Sequence, residues 1–259
     1  MKRRKFIGKT ALGTVAMVGF PSIVPASVLG KNAPSNKINI GQIGCGRIAR
    51  SHDLIDTMAY DVANVMGVCD LDSKRMKDGK ELVDKFYQEK KEKSNYKGTK
   101  VYEDYREMLI DKDIDAVLIS TPDHWHAQPA MEAAMAGKDI YLQKPTSLTV
   151  KEGRQLVNAV QKNKVILQVG TQQRAMPQFR IAAELVRNGR IGKLHTVKIG
   201  LPGDPGGPEA LAMPIPKNLN FDMWLGSTPE VPYTEIGVHP REGYGRPGWL
   251  RHENYGAGM

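Results

Sequence analysis

The chain has 259 residues, 41% of them hydrophobic, which is enough for one large domain or two smaller domains with buried cores. Its formal net charge is +9, and five basic residues within the first nine positions supply more than half of it. The lysine-rich run at 85–100 also contains Glu89 and Glu92 and has few aromatic residues. It is therefore predicted to be a solvated helix and loop, and we expect no nucleic-acid partner.

The first 33 residues have the features of an export signal and a linker. Arg3-Arg4-Lys5-Phe6-Ile7 is a twin-arginine pattern, and a weakly apolar stretch at 10–24 follows it. That stretch is short for a transmembrane span, and Val24-Pro25-Ala26 offers a cleavage site with a small residue. The sequence thus predicts the twin-arginine export machinery as a partner and a periplasmic or otherwise exported protein. An uncleaved membrane anchor is the alternative.

A glycine-rich turn follows the first predicted strand, Ile38–Ile43. The segment Gly44-Cys45-Gly46-Arg47-Ile48-Ala49 has a Gly-x-Gly-x-x-Ala pattern and opens into a predicted helix. Gly44 permits a tight turn, Gly46 lets the backbone approach a pyrophosphate, and Ala49 lets the helix pack closely on the strand. The pattern therefore predicts a dinucleotide site formed by Gly44, Cys45, Gly46, Arg47 and Ile48.

Asp70 follows the second predicted strand, 62–69, and lies 24 residues after Gly46. At this position an acidic side chain bonds the adenosine ribose hydroxyls in dinucleotide sites. A carboxylate favours NAD because it repels the additional phosphate of NADP. Lys74 and Arg75 lie close in sequence and keep NADP open as the second choice.

Predicted strands and helices alternate up to residue 172. Helices are predicted at 73–92, 104–109, 128–137 and 151–163, and strands at 101–102, 116–120, 139–142 and 165–169. This alternation predicts an α/β fold with a doubly wound, parallel Rossmann sheet over residues 34–172. A helix at 178–188, a strand at 195–199 and a Pro- and Gly-rich stretch at 201–247 follow. We expect residues 173–259 to begin an α+β substrate domain with an open, mainly antiparallel sheet that this sequence does not complete.

Several blocks, taken in order, resemble the Gfo/Idh/MocA family, the relatives of glucose–fructose oxidoreductase and inositol dehydrogenase. After the glycine turn they are Thr121-Pro122-Asp123-His124-Trp125-His126, Ala136-Gly137-Lys138 and Gln143-Lys144-Pro145. Gly189-Arg190-Ile191-Gly192 and Trp224-Leu225-Gly226 resemble an exported branch of that family. Gln143 is a departure, because the family usually has glutamate there. The resemblance also places an Asp and a His of the catalytic set beyond Met259.

The resemblance implies roles for individual residues. Lys144 is the implied catalytic residue, which touches substrate and nicotinamide and whose ammonium can bond the reacting hydroxyl. Thr121 and Pro122 line the nicotinamide side, and His126 and Pro145 are further cofactor-side candidates. The His-x-His pair that ends at His126 has no third ligand at metal spacing, so no metal site is predicted.

The predicted function is a nicotinamide-dependent oxidoreductase that acts on a hydroxyl carbon of a sugar, polyol or glycoside. Export predicts a tightly bound cofactor that is recycled on the enzyme, since no free nicotinamide pool is expected outside the cytoplasm. One alternative is a glycosidase-like enzyme that oxidises, eliminates and reduces. Another is a binding protein that has lost turnover. The resemblance also implies a homo-oligomer.

Overall fold

The computed structural model describes residues 36–90, 98–200 and 210–257 of the chain. The predicted twin-arginine signal at 1–33 lies outside these residues, and its role stays a prediction. The described residues from Ile38 onwards belong to one compact unit. Within the described ranges, no helix is long and apolar enough to cross a membrane.

The first half of this unit alternates strands with helices. Strand β1 (Ile38–Ile43) leads through the glycine turn into a π-helical turn (Ala49–Asp53) and helix α1 (Leu54–Met58). Next come β2 (Ala63–Cys69), α2 (Ser73–Lys90), β3 (Lys100–Tyr102), α3 (Tyr105–Ile110) and β4 (Ala116–Ile119). They are followed by a 3₁₀ turn (Asp123–Trp125), α4 (Ala127–Met135), β5 (Asp139–Gln143), α5 (Val150–Asn163) and β6 (Leu167–Gly170).

The six strands form one parallel sheet in the order β3-β2-β1-β4-β5-β6. The predicted doubly wound Rossmann sheet is therefore confirmed. The chain fills one side of β1 with β2 and β3 and then crosses to its other side with β4. In such sheets the crevice for a ligand opens where the strand order reverses, at the carboxyl ends of the strands. Here that point lies between β1 and β4.

Helices cover both faces of the sheet. On one face α1 and α2 bury a cluster that contains Leu54, Met58, Val65 and Val83. On the other face α3, α4 and α5 bury a larger cluster with β4 and β5. Because both faces are covered, the strands read as apolar runs rather than as an alternating pattern. This is why their positions could be predicted to within a few residues.

The segment after β6 differs from the expectation. Helices α6 (Gln172–Ala175) and α7 (Pro177–Arg187) follow, and α7 matches the predicted helix. The predicted strand at 195–199 was wrong, because those residues are exposed and irregular. Alternating residues do not make a strand by themselves, since the backbone needs a partner strand. The second domain over 173–259 stays a prediction.

Residues 210–257 pack against the loop after β2 through a third apolar cluster. It contains Phe221 and Trp224 of helix α8 (Phe221–Leu225) together with Leu219, Tyr233 and Tyr255, and Leu71 packs against it. An isolated antiparallel bridge joins Asp72 to Leu219. This segment thus lies against the residues that follow β2.

Asp72 links residues 210–257 to the start of α2 through hydrogen bonds. Its Oδ1 accepts hydrogen bonds from Asn218 Nδ2 at 2.8 Å and from the backbone N–H groups of Lys74 and Arg75. Its Oδ2 lies 3.0 Å from His239 Nε2. Burial alone raises the pKa of this carboxyl, but the hydrogen bonds from His239, Asn218 and Arg75 outweigh it and lower the pKa to about 2.

We predict that Asp72 makes docking of residues 210–257 sensitive to acid. Because its pKa in the folded state lies below the unfolded value of about 3.9, its contribution is present above that pH and is lost as the pH falls towards 2. When the pH falls from 5 to 2, the free energy of unfolding of the unsubstituted protein should decrease by about 2 kcal/mol more than that of Asp72→Asn. Urea unfolding at a series of pH values measures this difference. Parallel pH profiles for the two proteins would contradict it.

Candidate functional site: a dinucleotide pocket at the carboxyl edge of the sheet

One pocket of about 1070 Å³ opens at the carboxyl ends of the parallel strands. Nine of the predicted site residues line it: Gly44, Gly46, Arg47, Ile48, Asp70, Thr121, Pro122, His126 and Lys144. Cys45 and Pro145 are not among its lining residues. The structure therefore brings together side chains from the ends of β1, β2, β4 and β5.

The two glycines of the turn have different surroundings. Gly44 has a φ of +85°, and a Cβ there would lie 2.8 Å from the carbonyl oxygen of Ser120 at the end of β4. A side chain at Gly44 would thus be strained and would collide with backbone. A Cβ at Gly46 would meet nothing within 4 Å. The backbone of Gly46 therefore faces open pocket space, which fits the close approach of a pyrophosphate.

The helix that follows the turn packs tightly on the sheet. Ala49 is fully buried, as its predicted role in close packing requires. Cys45 is also fully buried, and a Cβ at Gly79 of α2 would lie 2.8 Å from its sulfur. Burial raises the pKa of Cys45. The thiol of Cys45 therefore packs against α2 on the core side of the turn.

Asp70 is held in place by two backbone donors. Its Oδ2 accepts from Cys45 N–H at 2.7 Å, and its Oδ1 accepts from Asp72 N–H at 2.9 Å. Burial raises the pKa of Asp70, and these two hydrogen bonds act against that effect. A carboxylate has about four acceptor positions, so capacity remains for two hydroxyl donors. The residues present thus fit the ribose of a dinucleotide.

The basic residues beside Asp70 are engaged by the C-terminal segment. Arg75 is buried, and its Nη2 donates to the carbonyl oxygen of Pro240 at 2.9 Å. Lys74 Nζ lies 3.0 Å from a carboxylate oxygen of Glu242. In this arrangement both cations already have partners in the C-terminal segment.

Tyr244 lies between two guanidinium groups. The Arg50 carbon Cζ is 4.4 Å and the Arg75 Cζ is 4.7 Å from the centre of the Tyr244 ring. The phenol oxygen donates to Asp78 Oδ2 at 2.7 Å. Such contacts between a cation and an aromatic face are each worth about 0.5–2 kcal/mol. They tie the segment around Tyr244 to α2 and to the helix after the glycine turn.

His126 joins the turn after β4 to the turn after β5. Its Nε2 lies 2.9 Å from the carbonyl oxygen of Thr121, and its Nδ1 makes a hydrogen-bond contact with the carbonyl oxygen of Pro145. Burial lowers the pKa of His126, while the two carbonyls act in the opposite direction. These backbone contacts hold His126 next to both turns that line the pocket, and its role at the cofactor side stays a prediction.

Lys144 follows β5 and lies exposed at the pocket wall. The Lys144–Pro145 peptide bond is cis. A capping box then starts α5: Thr149 accepts from the backbone N–H of Glu152, whose side chain accepts from the backbone N–H of Thr149. Because the side chain of Lys144 is exposed at this wall, its ammonium is accessible to a small molecule in the pocket.

The other two side chains of the His-x-His block serve packing. His124 Nε2 lies 2.8 Å and Trp125 Nε1 lies 2.9 Å from the same acceptor, the carbonyl oxygen of Trp224. Burial lowers the pKa of His124. In the described ranges, no group of three or more metal-ligating side chains comes together.

Sequence reasoning missed a buried polar network behind the pocket. Asp53 accepts hydrogen bonds from Gln143 Nε2 at 2.7 Å and from Ser120 Oγ at 2.5 Å. Gln42 Nε2 donates to Ser120 Oγ, and Gln172 Nε2 donates to Gln143 Oε1. A signal existed in the sequence, because Asp53 lies four positions after Ala49 and thus on the same helix face, towards the sheet.

The architecture and the pocket define a dinucleotide-binding Rossmann protein. Residues 38–171, just over half of the chain, match the model of the Gfo/Idh/MocA oxidoreductase family, described as having an NAD-binding Rossmann fold. The chain belongs to this family.

Known relatives include inositol dehydrogenases. The chain is 29% identical over 188 residues to a myo-inositol 2-dehydrogenase of Thermotoga maritima, which covers 73% of this chain and 52% of that relative. The structure of a scyllo-inositol dehydrogenase from Lactobacillus casei with bound NAD(H) and scyllo-inositol has a TM-score of 0.51 at 25% identity. That match covers 60% of this chain and 42% of the relative.

A second solved structure carries the other nicotinamide cofactor. It is a variant of a 3-ketoreductase from Actinomadura kijaniata in complex with TDP-benzene and NADP, with a TM-score of 0.51 at 25% identity. The match covers 61% of this chain and 46% of that protein. The chain thus spans about half the length of the relatives that it matches.

We predict that His126 stabilises the pocket wall. His126→Ala should lower the free energy of unfolding by about 2–4 kcal/mol, because it leaves a cavity and removes the donor between two carbonyl groups. Urea unfolding measures the change. His195→Ala is the matched control, because His195 is exposed, and it should change stability by less than about 0.5 kcal/mol. Equal losses in the two variants would refute the role of His126.

Proposed function

We propose that this protein is an NAD-dependent oxidoreductase acting on a hydroxyl carbon of a sugar or polyol. The observation that carries the proposal is the pocket in which the open backbone at Gly46, the carboxylate of Asp70 and the ammonium of Lys144 meet. Membership in the family and likeness to the inositol dehydrogenases support the substrate class.

The contacts of Lys74 and Arg75 support NAD rather than NADP. The adenosine ribose would meet the carboxylate of Asp70, which accepts hydroxyl donors and repels a phosphate. Arg75 is bound to the carbonyl of Pro240, and Lys74 is paired with Glu242. NADP would have to break these contacts before either cation could neutralise its additional phosphate.

The proposed chemistry places Lys144 at the reacting hydroxyl. NAD, when bound, would accept the hydride from the substrate carbon, and the hydroxyl proton would be released to water, because the charged ammonium of Lys144 cannot accept it. The ammonium of Lys144 orients the substrate hydroxyl and stabilises negative charge that develops on its oxygen. Thr121 and Pro122 form the wall next to it, and His126 holds that wall against the turn that carries Lys144.

A retained, internally recycled cofactor is the second part of the proposal. Residues 239–250, here called the covering segment, contribute His239, Gly245, Arg246, Pro247, Trp249 and Leu250 to the pocket lining. The segment is tied to α2 by Arg75 and Tyr244. A cofactor in the pocket would thus contact a segment whose ties to α2 would slow its exchange. This supports loading before export by the twin-arginine route to a periplasmic or other exterior location.

We predict that the protein emerges from purification with NAD bound. Denaturing protein that was purified without added nucleotide should release close to one NAD per chain, with little NADP. Chromatography of the released nucleotide measures both. A protein that emerges empty and turns over only with added cofactor would overturn the retained-cofactor proposal.

Lys144→Ala should lower turnover of an inositol or sugar substrate by about a hundredfold or more, since it removes the group that stabilises the substrate oxygen. Binding of NAD should change by less than about threefold, because the pyrophosphate and ribose contacts stay intact. Steady-state kinetics and titration calorimetry measure the two quantities. Lys151→Ala, an exposed lysine on α5, is the control and should leave both unchanged. Normal turnover in Lys144→Ala would reject the proposed role.

A further inference from the structure

The buried network around Asp53 joins the two walls of the nicotinamide side of the pocket. Asp53 comes from the π-helical turn after the glycine loop. Its two oxygens bond Ser120, which directly precedes Thr121, and Gln143, which directly precedes Lys144. Asp53 itself lines the pocket. The carboxylate of Asp53 therefore contacts the two residues that directly precede Thr121 and Lys144, both predicted to lie beside the nicotinamide.

The hydrogen bonds define which groups donate. An ionised carboxylate can only accept, so Gln143 must turn its NH₂ group towards Asp53. Its oxygen then accepts from Gln172 Nε2 at 2.9 Å. Ser120 Oγ accepts from Gln42 Nε2 at 3.1 Å and directs its proton to Asp53. Every donor that reaches Asp53 in these bonds is a neutral group.

The carboxylate of Asp53 thus accepts hydrogen bonds from neutral groups, which do not neutralise its charge. Burial raises the pKa of Asp53, and the hydrogen bonds from Ser120 and Gln143 act against this effect. The other ionisable groups that act on Asp53 are its neighbours His52 and Asp56. Burial raises the pKa of Tyr141 on β5, and the charge of Asp53 adds to that effect. A buried carboxylate with neutral partners keeps a field that extends into the adjacent pocket.

We propose that Asp53 is a positioning residue whose negative charge favours the oxidised, cationic nicotinamide over the reduced, neutral form. The inference rests on the proposed function, because it takes the pocket as an NAD site. Gln143 is the matching element, since its amide donates to Asp53, whereas a glutamate there would place two carboxylates in contact. In this chain Asp53, rather than a glutamate at position 143, thus supplies the carboxylate behind the nicotinamide wall.

The test compares the affinity for NAD⁺ with the affinity for NADH. Asp53→Asn keeps the size of the side chain and removes its charge. The ratio of the dissociation constants, NAD⁺ over NADH, should rise by about threefold or more in this variant, because only NAD⁺ loses a favourable interaction. Titration calorimetry measures both constants on protein freed of nucleotide. Glu103→Gln, which removes an exposed carboxylate outside the pocket lining, should leave the ratio unchanged.

A charge exchange provides the rescue. The double variant Asp53→Asn with Gln143→Glu restores one carboxylate and one amide in reversed order, and the ratio should return towards the original value. Gln143→Glu alone should lower the thermal midpoint of the nucleotide-free protein, because two carboxylates then face each other, and the double variant should recover it.

Each other outcome has a distinct meaning. If Asp53→Asn weakens both nucleotides equally and lowers the thermal midpoint, Asp53 is only structural and the inference is overturned. If the ratio stays constant while both nucleotides still bind, the inference fails and the proposed function stands. If the unsubstituted protein binds neither nucleotide, the proposed function itself fails.

Discussion

At the point where β1 and β4 diverge, the backbone of Gly44 passes so close to Ser120 that no side chain fits between them. This approach lets the turn lie directly against the end of β4 while the next glycine, Gly46, stays open to the pocket. The rest of the site is arranged around that contact. The hydroxyl of Ser120 reaches Asp53, and the chain that leaves Ser120 forms the Thr121–Pro122 wall. A displacement here would move the phosphate side and the nicotinamide side together.

Two buried carboxylates show how different partners set different properties. Asp72 contacts His239 and Arg75, and its pKa is lowered. Asp53 contacts an amide and a hydroxyl, and its pKa is raised. The first carboxylate joins two segments of the chain, and breaking its contacts costs stability. The second keeps its field, which makes it suited to acting on a ligand rather than on the fold.

The parallel sheet and the glycine turn could be predicted because short-range patterns determine them. Apolar runs mark β1, β2, β4 and β5, and the spacing from Gly46 to Asp70 follows from one strand–helix–strand unit. The Asp53 network could not be predicted so directly. Its members come from five separate places in the sequence, and each polar residue taken alone fits an exposed helix or a strand end. The prediction of a strand at 195–199 failed for a related reason, since pairing depends on a partner strand that the local pattern does not reveal.

The hydrogen bonds that link Asp72 and Tyr244 to distant parts of the chain join residues that are 146 to 167 positions apart. Closing so long a loop has an entropic cost that local helices do not have, so this docking belongs to the least local part of the fold. Were these contacts to open by local unfolding, the parallel sheet would stay intact. Exchange of whatever occupies the pocket would then follow the frequency of that opening. The residence time of a ligand would then depend on how often these contacts open. Hydrogen-exchange protection around Tyr244 would report that frequency.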